Sequence, residues 1–120
     1  MAIILHITKR EVWEAARESG AYAAESLESQ GFIHCSTPEQ ALAVADFLFR
    51  GQRDLVLLCI DEALLQSDVR YENLEGGQKL FPHVYGPIDL DSVVDVLDFP
   101  PTEDGTFALP PELTGEIGDA

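Results

Sequence analysis

Short β-branched runs interleaved with two capped helical patterns predict an α+β fold, a single compact domain with a mixed or antiparallel sheet of about five to six strands and two main helices. Two observations carry this beyond the alternation itself. Strand-like runs outnumber helical ones while both clear helices come early, and 120 residues allow one core of ordinary size without a disulfide or structural metal. The domain is expected over residues 1–110, with an acidic, disordered tail over 111–120.

Residues 3–7 (Ile-Ile-Leu-His-Ile) read as a buried strand interrupted by His6. Thr8 and Glu11 have capping-box spacing, so a helix is expected from Thr8 to Gly20 with Val12, Ala15, Ala16 and Ser19 inward. Residues 21–30 sustain neither period and read as an irregular connection. Residues 31–36 form a second strand pattern, whose period of two sets Phe32, His34 and Ser36 on one face and Ile33 and Cys35 on the other. Thr37, Pro38 and Gln40 make a second capping box, opening a helix to about Arg50 whose residues Ala41, Val44, Ala45 and Leu48, with Leu42 and Phe49, predict substantial burial.

Residues 54–60 are almost continuously Leu and Val, the pattern of a central strand covered on both faces. A helical turn at 62–65, a strand at 69–72 pairing Arg70 with Glu72 by parity, and a turn at Gly76 and Gly77 follow. Residues 81–88 have strand composition between Pro82 and Pro87, which predicts an edge or the rim of a site, with His83 and Tyr85 on one face. Val93 to Phe99 read as the last main strand, and Phe107 to Leu109 as a short addition.

The chain has 7 Lys and Arg against 22 Asp and Glu, a formal charge of −15, which argues against nucleic acid as a partner. All seven cations precede residue 89, so a small anionic ligand could still meet local positive charge there. With no apolar run long enough to span a bilayer and no basic leader, the sequence predicts no membrane partner and a cytoplasmic location. Cys35 and Cys59 form no CxxC pair and read as buried thiols. Oligomeric state has no signature here.

The three histidines, His6, His34 and His83, all fall in or beside strand patterns. Each is accounted for by half-burial and a hydrogen bond to a neighbour. Together they suggest a cleft lined by polar groups from several strands, with Ser36, Glu72 and Tyr85. Cys35 adjoins His34 but points to the opposite face, so the two do not make a nucleophile and base. Lys9 and Arg10 at a helix start would be relieved by a bound phosphate, or are simply solvated cations. A metal-dependent hydrolase on the three histidines is a further reading, although no HxH or HxxxH spacing supports it, and no metal set is expected.

The combination Leu5-His6-Ile7-Thr8, Trp13, Gly31-Phe32-Ile33-His34-Cys35-Ser36-Thr37 with Gln40, Tyr71-Glu72 and Phe81-Pro82-His83-Val84-Tyr85-Gly86 resembles the family called domain of unknown function 952, over about residues 3–99. More distantly it resembles the ADP-ribosyltransferase superfamily. That second resemblance implies a cleft that binds or cleaves a nicotinamide dinucleotide or related nucleotide, as a transferase or glycohydrolase. It implies that His6 holds the ribose, that His34, Ser36 and Thr37 line the cleft, and that Glu72 stabilises an oxocarbenium-like transition state. His83 and Tyr85 have no counterpart in that pattern. The candidate catalytic residues are thus Glu72 and His34, and the candidate ligand-binding residues His6, Thr8, Arg10, Ser36, Thr37, His83 and Tyr85. No cofactor is required, and the dinucleotide enters as a substrate. The alternative is a non-catalytic module for a small anionic metabolite.

Overall fold

The computed structural model describes residues 3–73 and 80–110. The expected turn at Gly76 and Gly77 and the expected acidic tail lie outside the described residues. In chain order the elements are β1 (Ile3–Lys9), α1 (Arg10–Ser19), β2 (Ala21–Tyr22), α2 (Glu25–Gln30), β3 (Ile33–His34), α3 (Pro38–Leu48), β4 (Leu55–Asp61), a 3-10 turn (Glu62–Leu64), β5 (Asp68–Glu72), β6 (Phe81–Tyr85), β7 (Ile88–Asp89), a second 3-10 turn (Leu90–Ser92) and β8 (Val93–Asp98).

The fold is α+β, but among the described residues the strands form three small antiparallel sheets in place of the one expected, with three helices in place of two main ones. One sheet has the order β1-β4-β8, another β3-β6-β5, and β2 pairs with β7. The first two meet at a bridge, where Leu5 and Ser36 exchange backbone hydrogen bonds of 2.7 and 2.8 Å. That junction brings the middle of β1 beside the chain that follows β3.

The continuous apolar run of β4 is explained by its place between β1 and β8. Val56, Leu58 and Ile60 face one core with Ile4, Trp13, Ile33, Val84 and Ile88. Leu55, Leu57 and Cys59 face the other, with Ile7, Ala41, Ala45, Phe99 and Phe107. Period-two geometry therefore makes one strand the wall between two cores.

The expected cap at Thr8 is not formed. β1 continues through Lys9, in register with Leu55, so Lys9 is the N-cap and its side chain makes no capping bond. The inward face of α1 turns with that later start, and Trp13 and Ala16 are buried while Val12 is exposed. Residues 21–30, expected to be irregular, hold β2 and α2, elements too short to show a period. The second capping box is present, but α3 stops at Leu48 and buries only Ala41 and Ala45, leaving Phe47 86% exposed. Substantial burial of this helix is thus corrected: two alanines suffice to seat it, and its larger side chains lie elsewhere.

β6 is the middle strand of its sheet, not an edge. Pro82 is tolerated there because β3 stops pairing at His34 opposite His83, and beyond that point the Pro82 carbonyl accepts from Cys35 N–H at 3.0 Å. Phe107 joins no strand; it stacks on Phe99 with ring centroids 4.8 Å apart, and its N–H donates to Asp46 Oδ1. Among the described residues, no helix is long and apolar enough to cross a membrane.

Candidate functional site

A cleft of about 740 Å³ opens between β1, the chain through β3, α3 and β6. His6, Ser26, Gln30, His34, Ser36 and His83 supply its polar border, and Leu5, Ile7, Val44, Phe47, Leu48, Phe49 and Phe81 its apolar wall. The large side chains that α3 withholds from the core thus border this cavity. Its size lies in the range usual for small-molecule sites.

His83 is 0% exposed and sits in the middle of β6, opposite His34 on one side and Arg70 on the other. Its Nδ1 lies 3.0 Å from Glu72 Oε1, and the Tyr85 hydroxyl donates to the same oxygen at 2.6 Å. An ionised carboxylate only accepts, so Nδ1 carries the proton in this contact. Glu72 is held below the ordinary carboxylate range, first by the Tyr85 hydroxyl and then by His83, and the Tyr85 phenol is pushed up by the same bond. Arg70 lies over the Tyr85 ring, 4.5 Å from its centroid. Phe32 stacks on the His83 ring at 4.3 Å, fixing its plane. With Nδ1 engaged and the ring clamped, His83 Nε2 is buried and has no hydrogen-bond partner. Buried polar atoms are nearly always paired, so this unpaired nitrogen, on a residue that borders the cleft, is the site's one unsatisfied buried side-chain atom among the described residues.

His6 is engaged at both nitrogens. Its Nδ1 donates to the His34 carbonyl at 2.6 Å, and its Nε2 lies 2.8 Å from the Tyr22 hydroxyl, itself 3.0 Å from Thr8 Oγ1. Burial pushes its pKa down to about 4, against a smaller upward pull from the His34 carbonyl, so His6 is neutral at pH 7. The protons then have one consistent arrangement, Thr8 O–H to Tyr22, Tyr22 O–H to His6 Nε2, and His6 Nδ1–H to the carbonyl. His6 therefore ties β1 to β2 and to the residue at which β3 ends.

The expected residues divide into three groups. His6, His34, Ser36 and His83 come together on the cleft. Glu72 and Tyr85 do not border it: Glu72 contacts His83, and Tyr85 contacts Glu72. Thr8, Arg10 and Thr37 lie away from its border. Thr8 is buried against Tyr22, and Thr37 spends its hydroxyl and N–H on the capping box of α3. Arg10 is held by Asp54 and Asp98 next to β4 and β8, so the cation expected to meet a phosphate is already paired with two carboxylates. Asp54 takes a left-handed conformation, φ 62°, and its carbonyl also accepts from Arg10 N–H. The His34 ring, expected to be catalytic, is exposed at the rim, and its Nε2 meets Gln30 Oε1 at 2.8 Å. The reading of three histidines around a metal fails because both nitrogens of His6 are spent, and no group of three metal-ligating side chains occurs among the described residues. Burial pushes the Cys35 thiol well above its ordinary range, which leaves it unreactive although it borders the cleft.

Sequence reasoning missed Phe32 as the clamp on His83, although parity already placed it on the face of His34. It missed Tyr22 because a two-residue strand has no readable period, and Phe47 because an apolar residue on a helix reads as core.

The family model described as a protein of unknown function, DUF952, matches residues 7–96. No curated protein matches. The crystal structure of protein CC0527 from Caulobacter crescentus is similar, with 35% identity and a TM-score of 0.84 over 93% of this chain and 98% of that one. The solution NMR structure of CC0527 gives 34% identity and a TM-score of 0.78 over the full length of both chains. By the extent of the family match and these identities, the chain belongs to the DUF952 family.

Proposed function

We propose that the cleft binds a small nucleotide-type ligand, the nicotinamide end of a dinucleotide, with His83 as the group presented to it and Glu72 as the residue that holds His83. The observation that carries this reading is the buried, unpaired Nε2 of His83, a residue that borders a cavity together with His6, His34 and Ser36. Phe47, Phe49 and Phe81 give that cavity flat apolar walls suited to an aromatic ring. Binding is better supported than turnover. Glu72 stands behind His83, away from the cleft border, so its action on a ligand runs through the imidazole and not through direct contact with a ribose. A bound hydroxyl could pass its proton to Nε2, with Glu72 stabilising the imidazolium formed, which is the general-base arrangement.

The test is to titrate the protein with nicotinamide dinucleotide, following the melting temperature and the ring resonances of His83, and to assay for released nicotinamide. A saturable melting shift with movement of the His83 resonances, both lost in His83→Phe, is the expected result. No shift and no movement at millimolar dinucleotide would remove the proposal. Release of nicotinamide that disappears in Glu72→Gln would add catalysis to it.

A further inference from the structure

The borders of the cleft differ in kind. Its polar members come from β1, α2, the chain through β3 and β6, and some are already spent within the protein: both nitrogens of His6 are bonded, and the Ser26 hydroxyl donates to the Phe32 carbonyl at 2.8 Å. The border supplied by α3 is apolar throughout, with Val44, Phe47 and Leu48 of the helix and Phe49 at its C-cap. Ala41 and Ala45 are fully buried in the core of Leu5 and Ile7, so α3 is seated through its smallest side chains while larger ones border the cavity. Phe47 and Leu48 pack into neither core and are 86% and 58% exposed. Covering them removes apolar surface from water, which is favourable. A cavity of about 740 Å³ takes a whole drug-sized ligand, and a single ring fills only part of it. Among the described residues on the border there is no Asp, Glu, Lys or Arg, so a charged group laid against the α3 side would lose its hydration and gain no ion pair.

We infer that the α3 border of the cleft is a subsite for an uncharged apolar group of the bound ligand, an alkyl chain laid over Phe47 and Leu48. This goes beyond the nucleotide reading. It concerns α3 and not His83, and it requires only that the cleft takes a ligand, whatever the chemistry of that ligand's other end.

Hexanamide and octanamide test this, because they share one uncharged head and differ only in chain length. Each is titrated into the full chain, with the Val44 and Leu48 methyls and the Phe47 ring followed by NMR. Octanamide is expected to bind about four- to fifteenfold more tightly than hexanamide, roughly two- to fourfold for each methylene, and to move the resonances of all three side chains. Phe47→Ser and Leu48→Ser alter side chains open to solvent and should melt as the wild type does, while the gain from the longer chain shrinks to less than about twofold in all. Val94→Ser, at an exposed side chain of β8 that does not border the cleft, should keep the full gain. Absence of binding by either amide, equal affinities, or an undiminished gain in Phe47→Ser overturns the inference. So does a wild-type dimer in sedimentation that Phe47→Ser dissolves, since a second copy then covers this surface. The two readings fail separately. If the dinucleotide binds and moves the His83 resonances but chain length makes no difference, the apolar subsite falls alone. If the amides behave as expected but the dinucleotide does not bind, the nucleotide reading falls alone.

Discussion

Acid should loosen this fold before its carboxylates titrate, and the cause is His6. The imidazole is buried, bonded to the His34 carbonyl and to Tyr22, with a pKa near 4 against 6.5 for an unperturbed histidine. Between those values the unfolded chain takes up a proton that the folded chain refuses, so stability rises with pH across the window. The contribution is complete above pH 6.5 and is lost as pH falls toward 4. A gap of this size is worth about 3 kcal/mol in full, of which roughly 2 kcal/mol disappears between pH 7 and pH 5. Most carboxylates remain ionised over that interval, and the depressed Glu72 adds its own loss only once pH falls through the ordinary range of an unfolded glutamate. Urea unfolding of the wild type and of His6→Gln at pH 7, 6 and 5 isolates the effect. The variant is less stable at pH 7, having exchanged a fitted ring for an amide, but its stability should fall with pH more gently by about 2 kcal/mol over the interval. Parallel pH profiles for the two proteins, or a His6 ring that titrates with a midpoint above 6, would refute the buried neutral imidazole.

Three further outcomes are expected. Tyr85→Phe removes the strongest influence holding Glu72 down, so the Glu72 carboxyl, followed by carbon NMR, should titrate at higher pH than in the wild type; an unchanged midpoint would deny the Tyr85 hydroxyl its role. Gly86→Ala places a Cβ against the Ser67 hydroxyl, which is tied to the Pro87 carbonyl at 2.7 Å, and should cost about 1–3 kcal/mol in denaturant unfolding, whereas a neutral effect would show that the Ser67 turn yields freely. Cys35 should resist thiol reagents in the folded protein and react as the chain unfolds, and fast labelling under native conditions would contradict its burial.

Legibility from sequence followed the reach of each signal. The central strand at Leu55–Asp61, the capping box at Thr37 and the helix end at Gly20 were readable because a handful of consecutive residues encodes each of them. The first helix start was misplaced because Thr8, a good cap by type, is claimed by pairing opposite Val56 and by Tyr22, which lies 14 residues further on. The edge reading of β6 failed for a similar reason. Two prolines discourage a central strand locally, but the short β3 stops pairing at the register where Pro82 would otherwise be faulted.

The same division holds for the site. The sequence by itself determined which groups were available: three histidines in strands, a parity that sets Phe32, His34 and Ser36 together and His83 with Tyr85, and a charge that disfavours polyanions. Only the tertiary structure decided how each is used. Three imidazoles of one chemical type become a buried tie, a rim group bonded to Gln30 and a buried ring with an unpaired nitrogen backed by Glu72, because the partners of His6 and His83 and the solvent access of all three are set by how separate segments pack. Pattern and propensity are local quantities, whereas burial and pairing are properties of the whole packed molecule.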